Sequence, residues 1–165
     1  MRPIQFIGVK IVEATPMTRA AYNEFRGWQL PADENGADEG YLVEYLDGGK
    51  PNVEGRSGYV SWSPKAVFDA AYRQIDGMTF GLAIEALKMC KKVARAGWNG
   101  KGMFIFLIPG STFKVNRAPL LGIYPEGTEI NYRPHIAMKG VDGSISEWTP
   151  AAGNDVLAED WQIVE

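Results

Sequence analysis

The chain has 165 residues, 45% hydrophobic and 12% aromatic, enough to bury a core in one domain or two small ones. Its net charge of −3 is uneven, with 8 Lys/Arg against 11 Asp/Glu in residues 1–78 and 9 against 9 in residues 79–165. Neither half supplies the strongly basic face that a nucleic-acid polymer requires, which excludes that partner, whereas a small anionic ligand needs only a few well-placed donors.

In chain order, the opening Met1 to Phe6 lacks a signal-peptide layout. Ile4 to Ala14 is strand-like through Val9, Ile11 and Val12, and Thr18 to Phe25 suits a short helix. The acidic run Pro31 to Gly40 is a loop, because its composition cannot pack and its Pro and Gly end regular structure. Tyr41–Leu46 and Gly58–Trp62 read as strands joined through the turn Asp47-Gly48-Gly49. Ser63-Pro64 then starts a helix, a serine cap with proline at the first helical position, that runs to about Gln74. Ile75 to Met78 is the expected boundary, giving domains of 1–77 and 78–165.

Past it, Thr79 caps a helix whose Phe80, Ala83, Ile84, Leu87 and Cys90 follow the helical period. Short strands are expected at 92–96, 103–108, 112–115, 129–132, 135–139, 145–148 and 162–164, with Asp142-Gly143 as a hairpin turn. One helical turn is expected at 154–159. Strands that do not alternate regularly with helices imply α+β: a small antiparallel-sheet domain with one N-terminal helix, preceded by a smaller α+β domain. The longest apolar run, Met103 to Pro109, is far short of a membrane span, so no membrane partner is expected and the cytoplasm is the default compartment.

Catalytic constellations are scarce. His135 is the sole histidine, and it reads either as a sheet histidine or as the base of any triad. Cys90, on the apolar helix face, reads as an inert core thiol. A single cysteine also excludes an intrachain disulfide and a cysteine-rich zinc site. Asp155, Glu159 and Asp160 read as a solvated helix end or as a weak acid/base pair. No metal and no cofactor are expected.

The run Gly97-Trp-Asn-Gly100-Lys101-Gly102 lacks the spacing and the Ser/Thr of a P-loop, and it is followed by a strand. Nor does it join two helices, as a KH-domain Gly-x-x-Gly loop does. What it offers is an indole, Trp98, an amide, Asn99, and the cations Arg95 and Lys101, which together suit a base, ribose and phosphate. The other reading makes Trp98 a lid over the core. If the indole is a pocket wall, Trp98→Ala should leave folding nearly unchanged. Trp161, Phe104 and Phe106 read as core, and Trp148 as a pocket position beside Thr149-Pro150.

Several motifs follow one another in a fixed order: Met78 to Leu87, Lys92 to Phe104, Pro109 to Phe113, Pro134 to Lys139, Asp142-Gly143, Trp148, and Asp155 to Trp161. This string resembles the second type of Thoeris anti-defence protein, a family of small phage proteins. The resemblance implies a signal sponge, which binds the cyclic ADP-ribose isomer made by a bacterial TIR enzyme, and in some relatives cyclic di- or trinucleotides, without degrading it. It further implies a dimer or dimer of dimers with pockets between protomers. Trp98 and Asn99 match the family's Trp-Asn loop, Met103, Trp148 and Asp155 match positions lining the pocket, and His135 matches its Pro-His strand. After Trp148 the chain departs from the pattern, with Pro150, Ala151 and Ala152 where a hydroxyl residue is expected. Residues 1–77 lie outside the resemblance. Two other functions stay open: a hydrolase or lyase acting on the same signal through Asp155, Glu159 or His135, and a protein-interaction module using the acidic N-terminal half.

Overall fold

The computed structural model describes residues 3–151 and 153–165. Met1, Arg2 and Ala152, which enter the sequence reading, lie outside them. The chain divides into two compact units, Met1–Arg73 and Gln74–Glu165, and both are α+β with antiparallel sheets.

The first unit is a three-stranded sheet, β1 (Val12–Pro16), β2 (Gly40–Tyr45) and β3 (Tyr59–Pro64), in the order β1-β2-β3, with helices α1 (Arg19–Arg26) and α2 (Lys65–Ala71). Thr18 caps α1 by accepting from the Ala21 N–H, and Gly27, at φ +68°, ends it in the left-handed conformation that glycine adopts without strain. Alternation along β2 puts Leu42 against Tyr22 and Val60, with Trp62, Met17 and Phe25 packed around them. Glu44 lies on that same face, buried, and accepts from the Gly58 and Ser57 N–H groups and from Arg56. Those bonds hold its pKa below the ordinary carboxylate value, the Gly58 bond most of all, against burial.

Two expectations for this unit need correction. The strand begins at Val12 rather than Ile4, and Ile4, Phe6 and Ile7 are exposed instead of facing a core. The Ser63-Pro64 helix start is also displaced. Both residues belong to β3, pairing with Tyr41 and Gly40, and α2 starts at Lys65 and ends at Ala71. The paired ladder outweighed the local capping signal there.

The second unit is a five-stranded antiparallel sheet in the order β10-β4-β5-β8-β9, formed by β4 (Lys92–Arg95), β5 (Phe104–Ile108), β8 (His135–Lys139), β9 (Ile145–Glu147) and β10 (Trp161–Val164). A ribbon of β6 (Ser111–Lys114) and β7 (Glu129–Tyr132) stands apart from this sheet. Helix α3 (Phe80–Lys88) covers one face, with Thr79 accepting from the Leu82 N–H as its cap. Its Ala83, Ala86 and Leu87 pack on Val93, Ile105 and Trp161 of the sheet, all buried, with Leu107, Ile136 and Met138 packed alongside. The chain enters the unit by pairing: the Ile75 carbonyl accepts from Ile163, and Met78 and Trp161 exchange both backbone bonds.

Period-2 alternation sends the neighbours of these core residues to the uncovered face. Phe104 and Phe106 therefore point away from α3, a correction to their reading as core. They line a groove with Ile145, Lys91, Lys92 and Lys139. Cys90 is corrected too. It lies beyond the end of α3, exposed, at φ +60° in the turn into β4, because the helix stops at Lys88. Residues 153–157 form a turn, not the expected helix.

Candidate functional site

The Gly-Trp-Asn-Gly loop leaves the end of β4 and returns as β5. Two carboxylates from the far end of the chain fix its base. Asp160 accepts from Arg95 Nε at 2.8 Å and from the Gly97 N–H at 2.8 Å. Asp155 is buried, and both its carboxylate oxygens accept from the unit's own donors. Its Oδ1 takes Arg95 Nη1 at 3.0 Å and lies 3.4 Å from Trp98 Nε1, while Oδ2 takes the Ala151 N–H at 2.8 Å. Arg95 also donates to the Asn154 carbonyl, and Trp161 Nε1 donates to the Asp155 carbonyl. One guanidinium, two carboxylates and two indoles thus form a latch between the 95–98 loop and the 151–161 segment.

The latch sets the charges. Burial raises the Asp155 pKa, but hydrogen bonds from Ala151, Arg95 and Trp98 outweigh it and hold the carboxyl below its ordinary value. Asp160 is held low chiefly by Arg95, whose own pKa is raised by Asp160 and then by Asp155. A carboxylate with a folded pKa below its unfolded one contributes stability that is complete above the unfolded value, about 4, and is lost as pH falls through the folded value. The second unit is therefore expected to keep full stability down to about pH 5 and to weaken steadily below pH 4. Asp160→Asn should flatten that slope, as read from urea unfolding midpoints across the acid range.

Trp98 is half-buried and packs on the core cluster, edge-on to Trp161 at 5.5 Å and tilted against Trp148 at 6.3 Å, with Phe80 closing the group against both other indoles. The lid reading is thus part of the answer, and the expectation that truncating Trp98 would spare the fold is corrected. The indole also borders a cleft of about 400 Å³, lined among others by Ala94, Arg95, Lys101, Met103, Phe104 and Gln162. Gly100 permits the loop's closure over Met103, since a Cβ there would meet Met103 Sδ at 2.1 Å and Val141 Cγ2 at 2.5 Å.

The expected site residues therefore separate into groups. Arg95, Trp98, Lys101 and Met103 meet at the cleft. Trp148 and Asp155 stand behind the indole, one packing on it and the other facing its N–H. Asn99 is exposed and falls outside the cleft lining. His135 begins β8 opposite Ile108, at the far end of that strand from Lys139, which pairs with Phe104 beside the cleft. It lies 3.2 Å from the Arg133 carbonyl and edge-on to Tyr132, remote from the loop. Sequence reasoning missed Gln162, Phe80 and the latch role of Asp160. For Gln162 a signal existed: Trp161 and Ile163 are apolar, so strand alternation sends Gln162 to the opposite face. Among the described residues no group of three His, Cys, Asp or Glu side chains could hold a metal ion. Among the same residues no helix is long and apolar enough to cross a membrane.

Comparison with known proteins falls on this same unit. The family model described as the Thoeris anti-defense 2-like domain matches residues 78–164. A protein named Thoeris anti-defense 2, from Bacillus phage SP01, is 41% identical over 87 residues, which are 53% of this chain and 94% of that protein. Helix α3, the five-stranded sheet and the latched tryptophan loop all lie within the matched span, and through it the chain belongs to the Thoeris anti-defense 2-like family.

Proposed function

We propose that this chain is a phage anti-defence protein that binds and sequesters a cyclic nucleotide immune signal, of the glycocyclic ADP-ribose type, without degrading it. The observation that carries this reading is the family match over the unit holding the cleft beside Trp98. The half-buried Trp98 at the cleft suits a base, and Lys101, exposed at the rim, suits a phosphate. The function belongs to residues 78–165, with residues 1–77 as an extension, and its place of action is the host cytoplasm. Self-association into a dimer or dimer of dimers is part of the proposal. It is supported by the uncovered sheet face bearing Phe104, Phe106 and Ile145.

Sequestration is favoured over hydrolysis because, among the described residues, Glu165 is the sole acidic residue lining the cleft and no histidine stands beside it, while the two carboxylates of the latch are bonded within it. Asp155 and Asp160 accept from Arg95 and from backbone N–H groups, an arrangement that holds them ionised and in place. An acid and a base placed together within hydrogen-bond reach of the reacting atoms are what that lining lacks. Incubation with glycocyclic ADP-ribose, followed by heat denaturation and chromatography of the supernatant, tests the reading. Intact nucleotide, retained before heating and released after it, is the expected result. A chemically altered nucleotide would establish an enzyme, and no retention would sink the binding function.

A further inference from the structure

We infer that Gln162 reads the edge of the ligand's base in the cleft beside Trp98, an assignment that rests on the binding function proposed above. Trp161 and Ile163 turn into the core, so Gln162 and Val164 turn to the other face of β10, and both line the cleft. Across the ladder from Gln162 stands Ala94, which also lines the cleft. The lining around the carboxamide mixes apolar groups, Ala94, Val164, Phe104 and Trp98, with the charged Lys101 and Glu165.

The polar groups of the latch are committed to one another, which leaves Lys101 and Glu165 as the other charged residues at the cleft. Arg95, Asp155 and Asp160 are bonded within the latch. Asn99, the amide that the sequence offered for gripping a base, is exposed and outside the lining, whereas Gln162 is half-buried within it. A carboxamide presents one acceptor and two donors in a plane. That pattern matches an adenine edge, where an amino group donates beside a ring nitrogen that accepts, and it forms two parallel bonds there. On the N6/N7 edge of adenine that this pairing uses, hypoxanthine places a carbonyl where adenine has its amino group and keeps N7 as an acceptor, so one bond is lost whichever way the carboxamide is turned. The cleft should therefore select adenine through Gln162, while Trp98 supplies stacking that is indifferent to the base.

Calorimetric titration of the full chain with glycocyclic ADP-ribose and with its hypoxanthine counterpart tests this. The wild-type protein is expected to bind the adenine form about tenfold or more tightly. Gln162→Ala should lose that factor on the adenine form alone and bring the two affinities together. Gln162→Met, of similar length and without the amide, should do the same and serves if the alanine variant fails to fold. Trp98→Phe should weaken both ligands and keep their ratio. Equal wild-type affinities, or a wild-type ratio retained in both Gln162 variants, would overturn the assignment and leave the binding function standing. A wild-type chain that binds neither nucleotide overturns both.

Discussion

Asp155→Ala is expected to destabilise the second unit by about 3 kcal/mol and to weaken ligand binding even where the unit remains folded. The substitution removes three interactions at once and loosens a turn. Arg95 keeps Asp160 but loses its better-buried partner, the Ala151 N–H loses its acceptor, Trp98 loses the oxygen facing its N–H, and the turn that delivers Trp161 loosens. Breaking a buried pair by removing one partner costs more than the pair contributes net, because the remaining charge is left poorly solvated. Asp155→Asn should recover little. Whichever way the amide is turned, its NH₂ group faces a donor, either the Arg95 and Trp98 N–H groups or that of Ala151. Urea unfolding followed by tryptophan fluorescence reads the loss, since Trp98, Trp148 and Trp161 all lie in this unit. Wild-type unfolding midpoints in both variants would show that the latch contributes nothing.

The same cluster shows why part of the site was legible in the sequence and part was not. Elements set by strong local periodicity or capping were readable: Thr79 and the apolar stripe behind it give α3, and 129–132 and 135–139 are strands with the expected bounds. Trp98, Lys101 and Met103 were readable as a group because they lie within six residues, on a loop whose glycines allow close backbone approach. Arg95 belongs to the same stretch, but its role depends on Asp155 and Asp160, some sixty residues away. Nothing local distinguishes a carboxylate that will meet a buried guanidinium from one on a solvated helix end, so on their own stretch Asp155 and Asp160 read as a surface cluster, and only the family resemblance put Asp155 at the pocket. Cys90 failed for the opposite reason. It continued the helical pattern, but the pairing of β4 with β10 starts at Lys92, and the chain must leave the helix early to reach it. Phe104 and Phe106 were misassigned because a run of apolar residues does not reveal which sheet face lacks a cover.

Trp98→Ala should show two separable losses, because the indole has two neighbours of different kinds. Its edge contact with Trp161 and its tilted contact with Trp148 belong to the fold. A fully buried tryptophan truncated to alanine costs roughly 3–5 kcal/mol, and Trp98 is only half-buried, so about 2 kcal/mol of stability is expected to go. The face toward the cleft belongs to the ligand, and losing it should cost about 1–3 kcal/mol of binding, a factor of about five to a hundred in Kd. Trp98→Leu tells the two apart. Leucine refills much of the apolar volume against Trp161 but offers no π-face, so stability should recover by more than half while affinity stays low. Urea unfolding and calorimetry on the same preparations measure both. If Trp98→Leu restores affinity along with stability, the indole acts only by packing, and the base must be held elsewhere in the cleft. If affinity stays low in a well-folded leucine variant, stacking on the cleft side of Trp98 is what holds the ligand.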